Sequence, residues 1–177
     1  MKIKSCCFIG HRNVEITEEL KAEVKNYIEY LIKEENVKNF LIGSRSNFNY
    51  LCHSILEELK EKFPSIKLIA YECKSEAAIL KSEKRKWEKI FSEMENKDVS
   101  VLCVDEIHEY KNKYTSGKAA YIERNQAMID DSDFCLFYFD KDYIPLKKNF
   151  SISNSGTAIA YIYAERKKKI IKNFFDN

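Results

Sequence analysis

The feature that most constrains this chain is an alternation: short, unbroken apolar runs take turns with longer segments whose apolar residues recur at helical spacing. The runs are Lys4 to Ile9, Asn39 to Ile42, Lys67 to Tyr71, Val99 to Val104, Phe134 to Phe139 and Lys169 to Phe174. Apolar character without polar alternation implies strands buried on both faces, as in a parallel sheet. Between the first two runs, Thr17 to Asn36 carries Leu20, Val24, Tyr27, Ile28, Leu31 and Ile32 on one helical face, with Thr17 as candidate N-cap and Glu18 and Glu19 suited to the positive helix end. A second helix is expected from about Asn49 to Phe63, apolar along Leu51, Cys52, Ile55, Leu56 and Leu59 and stopped by Pro64. Strand and helix in alternation, joined by short connections, imply right-handed crossovers and a doubly wound α/β sheet, mostly parallel, with helices on both faces.

Two stretches depart from this rhythm. Glu76 to Lys97 reads as a solvated helix anchored by Trp87, Ile90 and Phe91, and Ile107 to Ser116 and Lys141 to Asn154 read as loops near the carboxyl edge. With 2 prolines and no Gly/Ser-rich linker or repeat, residues 1–177 are expected to form one domain. No apolar run is long enough to span a bilayer, and a cytoplasmic protein is expected. The 6 cysteines (Cys6, Cys7, Cys52, Cys73, Cys103 and Cys135) form no C-x-x-C pair and read as reduced, small core residues.

In a doubly wound sheet, ligands bind outside the carboxyl ends of the strands, where the strand order reverses. Glycine usage points to the same loops. The chain has 4 glycines, where average usage of about 7% would give roughly 12. Gly10 and Gly43 end strand runs, and Gly117 and Gly156 open helical stretches. Around them lie Gly10-His11-Arg12, Gly43-Ser44-Arg45-Ser46-Asn47-Phe48-Asn49, Gly117 through Glu123-Arg124-Asn125, and Asn154-Ser155-Gly156-Thr157. Ser44, Ser46, Ser155 and Thr157 offer hydroxyls; Gly10, Gly43 and Gly156 would let backbone N–H groups converge; Arg12, Arg45 and Arg124 supply guanidinium forks that match phosphate. A phosphate-bearing small molecule is the guest this chemistry suits. Ser155 and Thr157 also suit a plain helix cap, and adjacent Glu123 and Arg124 would point about 100° apart on a helix.

Other chemistries lose support. Neither a Walker A signature nor G-x-G-x-x-G is present, which argues against P-loop hydrolysis and dinucleotide redox chemistry, and no cofactor is expected. His11, His53 and His108 fall in no metal-binding spacing, so no metal site is expected. The 30 Lys and Arg are interleaved with 28 Asp and Glu, giving a net charge of +2. With aromatics placed in core runs, this pattern argues against nucleic acid as a partner.

The ordered set G-H-R after the first strand, Gly-Ser and N-F-N after the second, E-R-N on a middle helix and S-G-T before the last resembles the YpsA-like branch of the SLOG superfamily. That superfamily includes the Lonely-guy phosphoribohydrolases and the Rossmann domain of the DNA-processing protein DprA. The resemblance covers nearly the whole chain and implies a Rossmann-like fold, a pocket for nucleotides or nucleotide-derived signals, and a homodimer or larger assembly. In the Lonely-guy branch, the Arg of M-H-x-R-K and the Glu closing P-G-G-x-G-T-x-x-E take part in cleaving the N-glycosidic bond. Here Arg124 matches the first, whereas Ala160 stands at the position of the second. An oxocarbenium-like ribosyl cation needs a carboxylate beside the sugar. Asn49 replaces the acid of the family's F-D turn, and Arg45 adds positive charge beside it.

The expectation is therefore a binder of a phosphorylated nucleotide derivative, acting as sensor or sequestering protein, through Gly10, His11, Arg12, Gly43, Ser44, Arg45, Asn49, Arg124, Asn125, Ser155, Gly156 and Thr157. Two alternatives stay open. One is a nucleoside 5′-monophosphate N-glycosidase using Glu123 and Arg124, and the other an interaction module with a vestigial pocket and a partner surface at Glu76 to Lys97.

Overall fold

The computed structural model describes residues 2–43, 46–73, 104–108, 113, 117–142 and 155–175. Among the described residues, six strands and four helices follow in the order β1 (Lys4–Gly10), α1 (Glu18–Lys33), β2 (Val37–Ile42), α2 (Asn47–Lys62), β3 (Lys67–Tyr71), β4 (Glu106–His108), α3 (Gly117–Asp130), β5 (Phe134–Tyr138), α4 (Gly156–Arg166) and β6 (Ile170–Asn173). Every strand pairing is parallel, and the sheet order is β4-β3-β2-β1-β5-β6. The fold is thus the expected Rossmann-like, doubly wound α/β sheet. Strand order reverses between β1 and β5, which places the switch point beyond Gly10 and Tyr138, partners in register.

Side-chain alternation along the central strands sends each residue to one of two cores. Cys6 and Phe8 of β1 join Phe134 and Leu136 of β5 under α1 and α2, whereas Cys7 and Ile9 join Cys135 and Phe137 under α3 and α4. The first core takes the aliphatic faces of two strongly amphipathic helices: Val24, Ile28 and Leu31 of α1, and Ile55, Leu56 and Leu59 of α2. The second contains Ala160 and Ala164, whose small side chains let α4 approach both the sheet and α3. Cys6, Cys7, Cys52, Cys73 and Cys135 are buried free thiols, as expected of core residues; Cys103 lies outside the described residues. Burial pushes the Cys6 and Cys52 thiols well above their ordinary pKa, so both are held neutral.

One strand differs from its expected position. The apolar run Val99 to Val104 suggested the fourth strand, but pairing begins at Glu106, opposite Ile69, and runs on through Ile107 and His108, the first two residues of the stretch read as a loop. Asp105 sets the start: its N–H donates to the Leu68 carbonyl and its carboxylate accepts from the Leu68 N–H, each at 2.8 Å. Residues 99–103, the charged stretch Glu76 to Lys97 and most of the two expected loops lie outside the described residues. Among the described residues, no helix is long and apolar enough to cross a membrane.

Candidate functional site

Because each helix follows a strand and precedes a parallel one, all four helix N-termini lie at the carboxyl edge of the sheet. Three carry side-chain caps: Thr17 accepts from the Leu20 N–H at 3.2 Å, Ser46 from the Asn49 N–H at 3.2 Å, and Ser155 from the Ala158 N–H at 3.4 Å.

The residues picked out from the sequence divide between the two faces of that edge. Gly10 points to the α1/α2 face, where a Cβ would lie 2.7 Å from Phe48 Cβ. Its lack of a side chain serves close packing of α2 on β1. Asn49 is 1% exposed, and its amide donates to Ser46 Oγ at 3.1 Å, reinforcing the cap. Asn47 ties the same helix start to the β1 loop, donating from its backbone N–H to the Arg12 carbonyl (3.1 Å) and from its side chain to the Val14 carbonyl (3.3 Å). The Arg12 guanidinium is exposed, with no ion pair among the described residues. Ser44 and Arg45 lie outside the described residues.

His11, Arg124, Asn125, Ser155, Gly156 and Thr157 share the α3/α4 face. Arg124 is 2% exposed and spans from α3 to the end of β2, where its Nη1 donates to the Gly43 carbonyl. Its Nε donates to Asn125 Oδ1 at 3.2 Å, and the guanidinium lies 5.5 Å from the Tyr121 ring centroid. A Cβ on Gly43 would sit 2.6 Å from Arg124 Cδ and 2.5 Å from Met128 Sδ, so Gly43 is small in order to admit α3. Gly156 is different: a Cβ there would meet nothing within 4 Å. The first turn of α4, with Ser155 and Thr157 nearly buried beside it, therefore opens onto unfilled space among the described residues. Glu123 turns away from Arg124, accepting from the Lys113 N–H at 2.7 Å.

His11 is 3% exposed. Its Nε2 lies 3.0 Å from the Asp140 nitrogen, whose N–H donates to it when the ring proton is on Nδ1, and 3.1 Å from the Asp140 carbonyl, which accepts from it when the proton is on Nε2. Burial lowers the His11 pKa, partly offset by the Asp140 carbonyl and carboxylate. The sequence reading missed Asp140, Phe139 and Tyr121. Tyr121 was findable, being three residues before Arg124 and hence on the same helical face. Asp140 and Phe139 become neighbours of His11 only through the β1–β5 register.

Residues 7–169 match the model of the YspA SLOG family. The chain belongs to that family. No curated protein gives a significant sequence match. Among solved structures, the SLOG chain is similar to DNA processing protein A from Helicobacter pylori, described by its single-stranded DNA binding mode. The two share 15% identity with a TM-score of 0.49 over 95% of this chain and 63% of that one. The exclusion of nucleic acid drawn from charge interleaving is corrected by this neighbour. The order of charges along a sequence does not report which side chains share a face, and single-strand binding needs only one local groove.

Proposed function

We propose that this SLOG protein, as one domain over residues 1–177, binds a phosphorylated nucleotide derivative on the α3/α4 face of its carboxyl edge and acts as a sensor or sequestering protein. The observation that carries this reading is the open first turn of α4 at Gly156 on the same face as buried Arg124. A helix N-terminus favours an anion through its N–H groups and dipole, and a guanidinium adds directional donors. One helix end supplies only about 0.3–1 kcal/mol against the roughly 8 kcal/mol of a micromolar complex, so Arg124, Ser155, Thr157 and Asn125 act together.

Binding without turnover is supported by Ala160. It is 2% exposed and packed in the second core, so no carboxylate stands where the enzyme branch carries its Glu. Glu123, the substitute carboxylate, is engaged with the Lys113 backbone. The test is depletion and recovery. Protein at stoichiometric concentration is mixed with nucleoside monophosphates, cyclic nucleotides, dinucleotides, ADP-ribose derivatives and short single-stranded oligonucleotides, then filtered and heat-denatured, with both fractions analysed by mass spectrometry. A nucleotide lost from the filtrate and recovered intact is the expected result. Free base with a ribose phosphate would establish an N-glycosidase, and depletion of none would end the nucleotide reading.

A further inference from the structure

Phe139, the residue after β5, sits half-buried at the switch point on the α3/α4 face. Its ring centroid lies 4.9 Å from Tyr161 and 5.8 Å from His11. Its backbone is held unusually firmly for a residue outside a strand. The Phe139 N–H donates to Asn173 Oδ1 and the Phe139 carbonyl accepts from Asn173 Nδ2, both at 2.9 Å. One side-chain amide from β6 thus extends the β5–β6 ladder by a residue. The next residue is fixed as well: the Asp140 N–H donates to His11 Nε2, and Asp140 Oδ1 accepts from the Asp142 N–H at 2.7 Å. Phe139 packs on the second core, over Ile9, Phe137 and Ala160, each nearly fully buried, and still leaves part of its surface exposed at the edge. A rigid aromatic at a ligand edge loses little freedom when a flat ring stacks on it. Stacking tolerates any base, since every base has a π-face.

We infer that Phe139 is the base platform of the site. The heteroaromatic ring of a nucleotide stacks on its exposed part while the phosphate lies at the first turn of α4. This rests on the nucleotide reading above and adds to it the part of the ligand that phosphate chemistry leaves unspecified. It also separates nucleotides from base-free sugar phosphates as the ligand class.

The test compares AMP, GMP, CMP and UMP with ribose 5-phosphate by calorimetry on the full chain and on Phe139→Leu, which keeps an apolar side chain against Tyr161 but removes the π-face. The tightest-binding nucleotide is expected to weaken about tenfold in Phe139→Leu while ribose 5-phosphate is unchanged. In Phe139→Trp, nucleotide affinity should persist, with the added indole emission quenched by the nucleotide and not by ribose 5-phosphate. Equal nucleotide affinity in the parent and Phe139→Leu overturns the platform, as does ribose 5-phosphate binding the parent as tightly as any nucleotide; in both cases the phosphate reading survives. If the parent binds none of the five probes, the platform falls, while the nucleotide reading is decided by the wider panel above.

Discussion

On the α1/α2 face of the carboxyl edge the missing Cβ of Gly10 is replaced by the Phe48 side chain, whereas on the α3/α4 face the missing Cβ of Gly156 is replaced by nothing within 4 Å among the described residues. Two glycines at the carboxyl edge, one ending a strand and the other opening a helix, thus answer to different demands. The first lets a helix lie hard against the central strand; the second leaves a helix start uncovered. A phosphate cradle requires the second kind. The difference teaches that glycine in a post-strand loop is no evidence for a ligand until the space where its side chain would stand is known to be empty.

The largest effect should fall on the packed side. Gly10→Ala pushes a methyl group into Phe48 Cβ, Cγ and Cδ1, all at 3.0 Å or closer, and Phe48 is fully buried with nowhere to retreat. Urea denaturation should show a loss of about 2–3 kcal/mol, the upper part of the overpacking range. Gly156→Ala should leave stability unchanged or raise it by roughly 0.5 kcal/mol, because an alanine restricts the unfolded chain and meets no atom in the folded one. Equal losses at the two positions would erase the distinction drawn between the faces.

The strands and helices were legible because burial on both faces leaves an unmistakable apolar run and because amphipathic helices repeat at 3.6 residues. β3 lies where Lys67 to Tyr71 placed it, and Thr17 caps α1 as expected. β4 was not legible. Its Glu106-Ile107-His108 is half polar, and what positions it is the Asp105 carboxylate on Leu68, a contact between residues far apart in sequence. The same limit governs the site. That Arg124 and not Glu123 turns inward depends on Gly43 being small enough to admit it. That His11 meets Phe139 and Asp140 depends on strand register, and neither neighbour carries a motif.

Within the open face, Arg124 should matter most for binding. Arg124→Ala removes both the donor to Gly43 and a buried positive charge of α3, and affinity for AMP should fall at least tenfold, about 1.4 kcal/mol. Arg124→Lys should recover part of that loss, since it keeps the charge without the planar fork. Calorimetry on both variants decides the point: unchanged AMP affinity in Arg124→Ala would remove the residue from the site and reduce it to a strut between α3 and β2.

A smaller but sharper contrast lies in the caps. Ser46 and Ser155 each accept one N–H at the start of a helix, so Ser46→Ala and Ser155→Ala should cost similar stability, about 1 kcal/mol each. Their effects on nucleotide binding should separate. Ser155 borders the open turn of α4, while Ser46 is enclosed by Asn49 and the loop that carries Arg12. Only Ser155→Ala should weaken AMP binding beyond the stability change it shares with its counterpart. Equal weakening by both would place the ligand across the sheet edge, touching both faces.

The smallest expected effect is on pH dependence. His11 has its pKa lowered by burial, so the unfolded chain takes up the proton at a higher pH than the folded one. Its contribution to stability is complete above the ordinary histidine value of about 6.5 and declines as pH falls toward the lowered folded value. Protonation also puts a hydrogen on Nε2, which can no longer accept from the Asp140 N–H and turns instead to the Asp140 carbonyl 3.1 Å away. His11→Gln, whose amide oxygen can accept from Asp140 without titrating, should therefore show a shallower loss of stability between about pH 6.5 and 5 than the parent. Carboxylates with lowered pKa, such as Asp105 on Lys60 and Leu68, act below that window and are common to both proteins. Superimposable stability profiles in the two would mean that His11 charges in place, and that the Asp140 contact is not what holds the edge of the open face.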